Sequence, residues 1–183
     1  MELTSNLQTY SLQEVKECIK QVKGKVENVF LHWTAGRYNQ VYFDYHISID
    51  EFGRIYLPSE DLSQYREHTY MRNSNSVAIA INGCYDASAN NGYNCNFGSE
   101  GPTSAQVETM ALLVAMFVKY GGVPFENIKT HCEQAFIDGY GPYSGDPETR
   151  WDLWYLKDYD GQMKPGGEVI RGKAVWYLQN SNV

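Results

Sequence analysis

The chain has 183 residues, 43% of them hydrophobic and 14% aromatic, with a formal net charge of −7. This length and hydrophobic content predict one domain with a buried core and exclude a disordered chain. The acidic balance argues against nucleic acid as a partner, because phosphate binding requires a basic surface.

The first half of the chain predicts one helix followed by four strands. Ser11-Leu12-Gln13-Glu14 is a capping box that begins a helix extending to about Val22. The segments that follow are rich in apolar, β-branched and aromatic residues, which favour strands. The predicted strands cover 26–33, 41–49, 54–57 and 76–82.

The second half alternates predicted helices with loops. Thr103-Ser104-Ala105-Gln106 is a second capping box, and apolar residues at helical spacing continue from it to Tyr120-Gly121-Gly122. We further expect a loop at 84–101, a strand at 128–131, a loop at 138–145, a helix at 150–157 and weak periodicity at 166–178. This alternation predicts a single α/β domain with a central mixed β-sheet flanked by helices.

The N-terminal residues and the cysteines bear on the cellular compartment that we expect for the protein. The first residues lack a basic leader with an apolar run, and no stretch is long enough to span a membrane, so we expect a product that is cytoplasmic as synthesised. Cys84 and Cys95 bracket a polar loop, where a disulfide and two free thiols both stay open. Cys132 adjoins His131 and is expected to be structural, because neighbouring side chains on a strand face opposite ways.

Two histidines and one aspartate stand out as candidate metal ligands. His32 ends the strand at 26–33, His131 ends the short strand at 128–131, and Asp146 precedes Pro147 in a loop. Two imidazoles and a carboxylate are a ligand set of catalytic zinc, with the fourth position left for water. The pattern therefore predicts a metal-dependent hydrolase. Taken singly, each residue also fits a structural role, which for Asp146 is a helix N-cap.

Four further side chains are candidates for the same site. Tyr45 and His46 face opposite sides of a strand, so only one of them joins a site lined by His32. A tyrosine hydroxyl there would donate to a developing oxyanion. Glu133, two residues after His131 on the same strand, would share its face and orient an imidazole, with a solvated surface carboxylate as the alternative. His68 lies in a polar loop and fits either a cleft or an exposed position.

Five segments in this order resemble the type-2 N-acetylmuramoyl-L-alanine amidases, a family that shares its fold with peptidoglycan recognition proteins and phage amidase-lysozymes. The segments are Phe30–Ala35, Asp44–Asp50 with Gly53–Tyr56, His68 ahead of Asn75–Ile79, Lys129–Glu133, and Gly145–Pro147 with Trp151–Leu153. We therefore expect a single zinc amidase domain over residues 1–183. Its core would cover about 26–157, and the extension at about 158–183 would be an extra sheet element or a wall-contacting segment.

The resemblance implies a substrate and a set of roles. It implies zinc on His32, His131 and Asp146, and hydrolysis of the amide between N-acetylmuramic acid and L-alanine in peptidoglycan or a muropeptide. Tyr45 matches the catalytic tyrosine of the family, with Glu133 as a candidate for moving the proton. The positions expected to bind substrate are Trp33, His68, Asn75 and Ser144. A monomer is expected.

Three departures from the family pattern bear on the mechanism. Some relatives carry a glutamate base where this chain has Ala80, and relatives often carry a lysine two residues before the third ligand, a position that is Ser144 when Asp146 is that ligand. The separation of His131 and Asp146 is also long, with an insertion at 138–145. We expect Ser144, Tyr45 or a group from this insertion to stabilise the oxyanion instead.

Three functions stay open on the sequence. A phage-type endolysin is favoured, because the domain is small, lacks a signal peptide and carries an insertion. A non-catalytic peptidoglycan-binding module is the first alternative, favoured by the absent glutamate and lysine but opposed by the filled ligand positions. An intracellular amidase that recycles soluble muropeptides is the second alternative.

Overall fold

The computed structural model describes residues 1–5 and 7–180. A six-stranded mixed sheet organises the fold. Its strands are β1 Thr9–Tyr10, β2 Asn28–Trp33, β3 Ile47–Ile49, β4 Ile55–Tyr56, β5 Ser76–Ile81 and β8 Ile128–Thr130, in the spatial order β1-β4-β3-β5-β2-β8. The pairs β3–β5, β5–β2 and β2–β8 are parallel, and β1–β4 and β3–β4 are antiparallel. The predicted α/β domain with a central mixed sheet is confirmed.

Four α-helices accompany this sheet. They are α1 Leu12–Gln21, α2 Ser104–Met116, which continues as a π-helix over Phe117–Gly121, α3 His131–Asp138 and α4 Gly166–Asn180. Both predicted capping boxes are formed, at Ser11 and at Thr103. Two hairpins complete the described part of the chain: β6 Ser88–Ala89 with β7 Cys95–Asn96, and β9 Tyr155–Lys157 with β10 Met163–Pro165.

The two faces of the sheet differ in what covers them. Side chains alternate along a strand, so Val29, Leu31 and Trp33 of β2 lie in the main core with apolar residues of α1, α2 and α4. His32 pairs with Ala80 of β5 and belongs to the opposite face. There Ala78 and Ala80 pack with Tyr42 and Tyr45 in a smaller cluster. The small alanine side chains leave room beside His32.

Three predicted elements are wrong or incomplete. Residues 150–157 form a turn and then β9 rather than a helix, because Leu153 takes a left-handed backbone conformation (φ 57°) that ends any helical run. The strand predicted at 41–49 is reduced to Ile47–Ile49. The predicted extension contains β10 and the fifteen-residue helix α4, whose Ile170 and Ala174 are buried in the main core. Residues 181–183 of that extension lie outside the described residues.

Candidate metal centre

Two histidines and an aspartate meet at the carboxyl edge of the parallel strands. His32 lies near the end of β2, His131 is the first residue of α3, and Asp152 lies in the turn before β9. Nδ1 of His32 is 2.9 Å from Oδ2 of Asp152, and Nδ1 of His131 is 3.2 Å from its Oδ1. One candidate ligand atom from each residue lies within 4.8 Å of the others, and all three residues are buried. Both carboxylate oxygens thus face an imidazole nitrogen.

The electrostatics of this group favour one charge state for Asp152 and His32. Burial alone would raise the pKa of the Asp152 carboxyl, but the charge and hydrogen bonds of His131 and His32 outweigh it and lower that pKa well below its usual range. Burial lowers the pKa of His32, which is only 1% exposed, against the opposing pull of Asp152. The arrangement therefore favours an ionised carboxylate beside a neutral His32 imidazole.

A chain of polar contacts through Thr69, His68 and Ser76 begins at the Nε2 atom of the His32 ring and orients this ring. Its Nε2 is 3.4 Å from Oγ1 of Thr69, which is 3.0 Å from Nδ1 of His68. Nε2 of His68 is 3.2 Å from Oγ of Ser76, whose own proton goes to the carbonyl of Asn73 at 2.8 Å. Each donor is then matched when Nε2 of both imidazoles carries the proton. The other ring nitrogen of His32, Nδ1, lies 2.9 Å from Oδ2 of Asp152, so both nitrogens of this ring have partners.

The structure corrects the third residue of the predicted set. Asp146 is exposed, and its carboxylate accepts a hydrogen bond from the backbone N–H of Glu148 at 2.8 Å, which is the role of a turn-forming aspartate before proline. Asp152 takes the position expected for Asp146. A signal for it was present in Trp151-Asp152-Leu153, because a carboxylate between large apolar residues is buried with them and then needs a partner.

Glu133 also differs from its expected position. Thr130 and Glu133 form a capping box, so His131 begins a helix and the argument from alternation along a strand does not apply. The Glu133 carboxylate accepts from the backbone N–H of Thr130 at 2.8 Å and pairs with Arg171 of α4 at 2.6 Å. It caps α3 and anchors α4 instead of facing an imidazole of the metal centre. The Thr-x-x-Glu spacing was the signal for this helix.

A cavity of about 410 Å³ opens beside the metal centre. Its walls include Tyr45, Trp33 and His68, three of the predicted residues, together with His131 and Asp152. Larger cavities of about 790 and 1030 Å³ lie against α2 and α4, where the described residues contain no comparable group of ligands. Chemistry rather than volume therefore identifies the candidate site.

Tyr45 approaches the metal centre and His46 turns away from it. The Tyr45 ring centroid is 5.2 Å from that of His32, and burial raises the pKa of its hydroxyl, which stays protonated as a potential donor. His46 donates from Nε2 to the carbonyl of Gln64 at 2.7 Å and accepts at Nδ1 from the backbone N–H of Ala78 at 3.0 Å. Both ring nitrogens of His46 are occupied by backbone groups.

Two predicted substrate-binding residues lie outside this cavity. Asn75 precedes β5 at the opposite edge of the sheet, five residues before Ala80, which pairs with His32. At about 3.3 Å per residue that is roughly 16 Å along the strand. Ser144 is exposed in the insertion, where its hydroxyl accepts from the backbone N–H of Asp146 at 3.1 Å. Neither side chain is among the residues that line the cavity.

Arg150 is a cavity residue that the sequence analysis missed. It is the one Lys or Arg among the described residues of the cavity wall, and its guanidinium pairs with Glu148 at 2.9 Å. With Asp152 as the third residue of the centre, the position two residues earlier is Arg150 rather than Ser144. The basic position that the family pattern places before the third ligand is therefore filled.

The remaining cysteine prediction concerns the loop beside this cavity. Cys84 is buried and Cys95 half-buried, and both are free thiols in the structure, as is the buried Cys132. Burial raises the pKa of the Cys132 thiol, which is not part of the metal centre. Cys132 thus has the structural position expected of it.

Comparison with known proteins identifies the class. The family model of N-acetylmuramoyl-L-alanine amidases matches residues 22–148, more than half of the chain, and the chain belongs to this family. The match ends four residues before Asp152. A solved structure, the endolysin N-acetylmuramoyl-L-alanine amidase LysCS from Clostridium intestinale, is similar at 18% identity and a TM-score of 0.43, over 60% of this chain and 70% of that one.

Two further findings concern curated relatives and membrane-spanning helices. No curated protein sequence matches the chain. Within residues 1–5 and 7–180, no helix is both long and apolar enough to cross a bilayer.

Proposed function

We propose that this protein is a zinc-dependent amidase that hydrolyses the bond between N-acetylmuramic acid and the L-alanine of the stem peptide. The observation that carries the proposal is the Asp152 carboxylate between His32 and His131 in the wall of a cavity. Family membership supports peptidoglycan as the substrate. We further propose polymeric peptidoglycan as the target, as for an endolysin.

The donor set fits zinc. Two imidazoles and one carboxylate are characteristic ligands of catalytic zinc, whose ligand atoms at about 2.0–2.2 Å from the ion lie roughly 3.4 Å apart. Nδ1 of His32 and the nearer Asp152 carboxylate oxygen are 2.9 Å apart, which is hydrogen-bond distance, and a cation bound by both would replace the proton between them. When bound, zinc would polarise the scissile carbonyl and lower the pKa of a water molecule.

The residues around the centre would supply orientation and charge. Tyr45, buried and protonated, would donate a hydrogen bond to the oxygen that becomes negative as the amide carbon is attacked. Arg150 would place a positive charge at the same wall of the cavity. Ala80, opposite His32, provides no carboxylate there. We therefore assign oxyanion stabilisation to Tyr45 and Arg150.

Replacing one histidine tests the proposal. The His131→Ala variant should lose bound zinc and the release of stem peptide from purified sacculi, while His46→Gln should keep both. Metal content is measured by atomic absorption and release by chromatography of the soluble peptides. Continued release by zinc-free His131→Ala would refute the proposed mechanism. Zinc binding by the unaltered protein without release would favour a recognition module, and cleavage of soluble muropeptides alone would favour a recycling amidase.

A further inference from the structure

Three aromatic side chains form a cluster on the surface at the predicted insertion, residues 138–145. One of them lies in the insertion, and the other two flank it. The Trp154 ring lies 5.5 Å from the Tyr143 ring and 6.1 Å from the Phe136 ring, measured between centroids. Tyr143 is 75% exposed and Phe136 is 47% exposed. Exposed aromatic groups that contact one another on a small domain commonly mark a binding surface. We call these three residues the aromatic platform.

Tyr143 is held there at an energetic cost. Its backbone is in the left-handed region (φ 68°), where a bulky residue is disfavoured and glycine or asparagine is tolerated. Its ring is nearly perpendicular to that of Trp154, at 73°, which fixes the ring although most of its surface faces solvent. An unfavourable backbone conformation that presents an exposed aromatic ring is a reason to look for a function of that ring.

The platform is joined to the wall of the candidate cavity at two points. Ser144, next to Tyr143, has its hydroxyl 3.4 Å from that of Thr149, which lines the cavity. Trp154 follows Asp152 by two residues, and its backbone N–H donates to the carbonyl of Trp151, another lining residue, at 3.0 Å. The platform therefore lies next to the part of the cavity wall that Thr149 and Trp151 form, the side on which a longer ligand would leave the cavity.

We infer that the aromatic platform binds the glycan strand that carries the scissile amide, an inference that rests on the proposed function. A cavity of about 410 Å³ has the size of a small-ligand site, so the sugars that flank the cleaved residue must lie on the surface outside it. The C–H faces of β-linked N-acetylated amino sugars are flat and apolar, and they stack on aromatic rings. The platform thus contributes affinity for polymeric substrate rather than chemistry at the amide.

The test measures binding of a peptide-free strand, the tetrasaccharide of alternating N-acetylglucosamine and N-acetylmuramic acid, by titration calorimetry on the zinc-loaded protein. Tyr143→Asn removes the ring but suits the left-handed backbone, and should raise Kd about fivefold or more. Tyr143→Phe keeps the ring and should bind within twofold of the unaltered protein. The matched control is Tyr159→Asn, which removes a ring that is 86% exposed in the β9–β10 turn, and it should leave Kd unchanged.

Hydrolysis gives a second measurement. Tyr143→Asn should raise KM for sacculi severalfold without changing turnover of N-acetylmuramoyl-L-alanyl-D-isoglutamine, which carries one sugar. No tetrasaccharide binding by the unaltered protein, equal binding by Tyr143→Asn, or loss of a dimer in sedimentation as the only effect of that variant would overturn the inference. If the tetrasaccharide binds through Tyr143 while no amide is cut, the proposed function fails and the glycan site stands.

Discussion

The four histidines form two pairs whose environments differ in one respect. His32 and His131 direct their Nδ1 atoms to the carboxylate of Asp152, at 2.9 and 3.2 Å. His46 and His68 contact only neutral partners, which are backbone groups for His46 and the hydroxyls of Thr69 and Ser76 for His68. The first pair therefore shares an anion that would attract a divalent cation, and the second pair does not.

The two residues of the second pair have different roles, because His46 holds backbone groups of the fold and His68 orients His32. Burial lowers the pKa of His46 to about 4 and lowers that of His68 further, so both rings stay neutral near pH 7. His68 contacts His32 through the Thr69 hydroxyl, and its ring lies 5.5 Å from that of His32. Of the four histidines, His32 and His131 have a ring nitrogen within hydrogen-bond distance of a carboxylate. His68 supports His32 through the Thr69 hydroxyl.

The largest expected effect comes from removing the shared anion. Asp152→Asn should weaken zinc binding at least about 100-fold, because the centre loses its only negative ligand. The control Asp146→Asn should bind zinc as the unaltered protein does, since Asp146 is exposed and engaged with Glu148. Competition with a fluorescent chelator measures both affinities. Loss of zinc in Asp146→Asn but not in Asp152→Asn would restore the original assignment from sequence.

An intermediate effect is expected at Arg150, which lines the same cavity as His131 and Asp152. Arg150→Gln should lower kcat by about 100-fold, the size typical of a lost oxyanion donor, with zinc affinity unchanged. Arg150→Lys keeps the charge and should recover part of the rate. Initial rates on sacculi measure the effect. Lys20→Gln, in the Lys20–Glu17 ion pair whose side chains are both about half exposed, is the matched control. An equal loss of rate in both variants would show a general effect of charge instead.

The last expected effect concerns His46 and appears only as pH falls below about 6.5, as a pH dependence of stability. The pKa of His46 falls from 6.5 in the unfolded chain to about 4 in the fold. Between these values the unfolded chain binds more protons, so the free energy of unfolding decreases as pH falls from 6.5 to 4. His46 contributes at most about 3 kcal/mol to this decrease.

The variant His46→Gln isolates that contribution. Its free energy of unfolding should change less than that of the unaltered protein between pH 7 and pH 4, because groups common to both proteins cancel. Urea unfolding of the zinc-free proteins, followed by circular dichroism, gives the comparison. Parallel pH profiles for the two proteins would mean that His46 is accessible to protonation in the fold.

Local patterns predicted the parts of the fold that depend on a few neighbouring residues. The capping boxes at Ser11 and Thr103 and the apolar runs of β2 and β5 are formed as expected. His32 and His131 were also predicted correctly to lie close together, because the ends of neighbouring parallel strands meet at one edge of the sheet. The Thr130–Glu133 capping box is an equally local pattern, and it begins α3 where the strand predicted at 128–131 ends.

The sequence by itself determined the domain type, the family and two of the three residues of the candidate centre. Only the tertiary structure decided that Asp152 rather than Asp146 joins them, that Glu133 pairs with Arg171, and that Arg150 reaches the cavity. Helix caps and strand periodicity arise from contacts within a few residues. Which carboxylate is buried beside a histidine depends instead on the path of a long loop and on helix α4, and these are set by contacts between residues far apart in the chain.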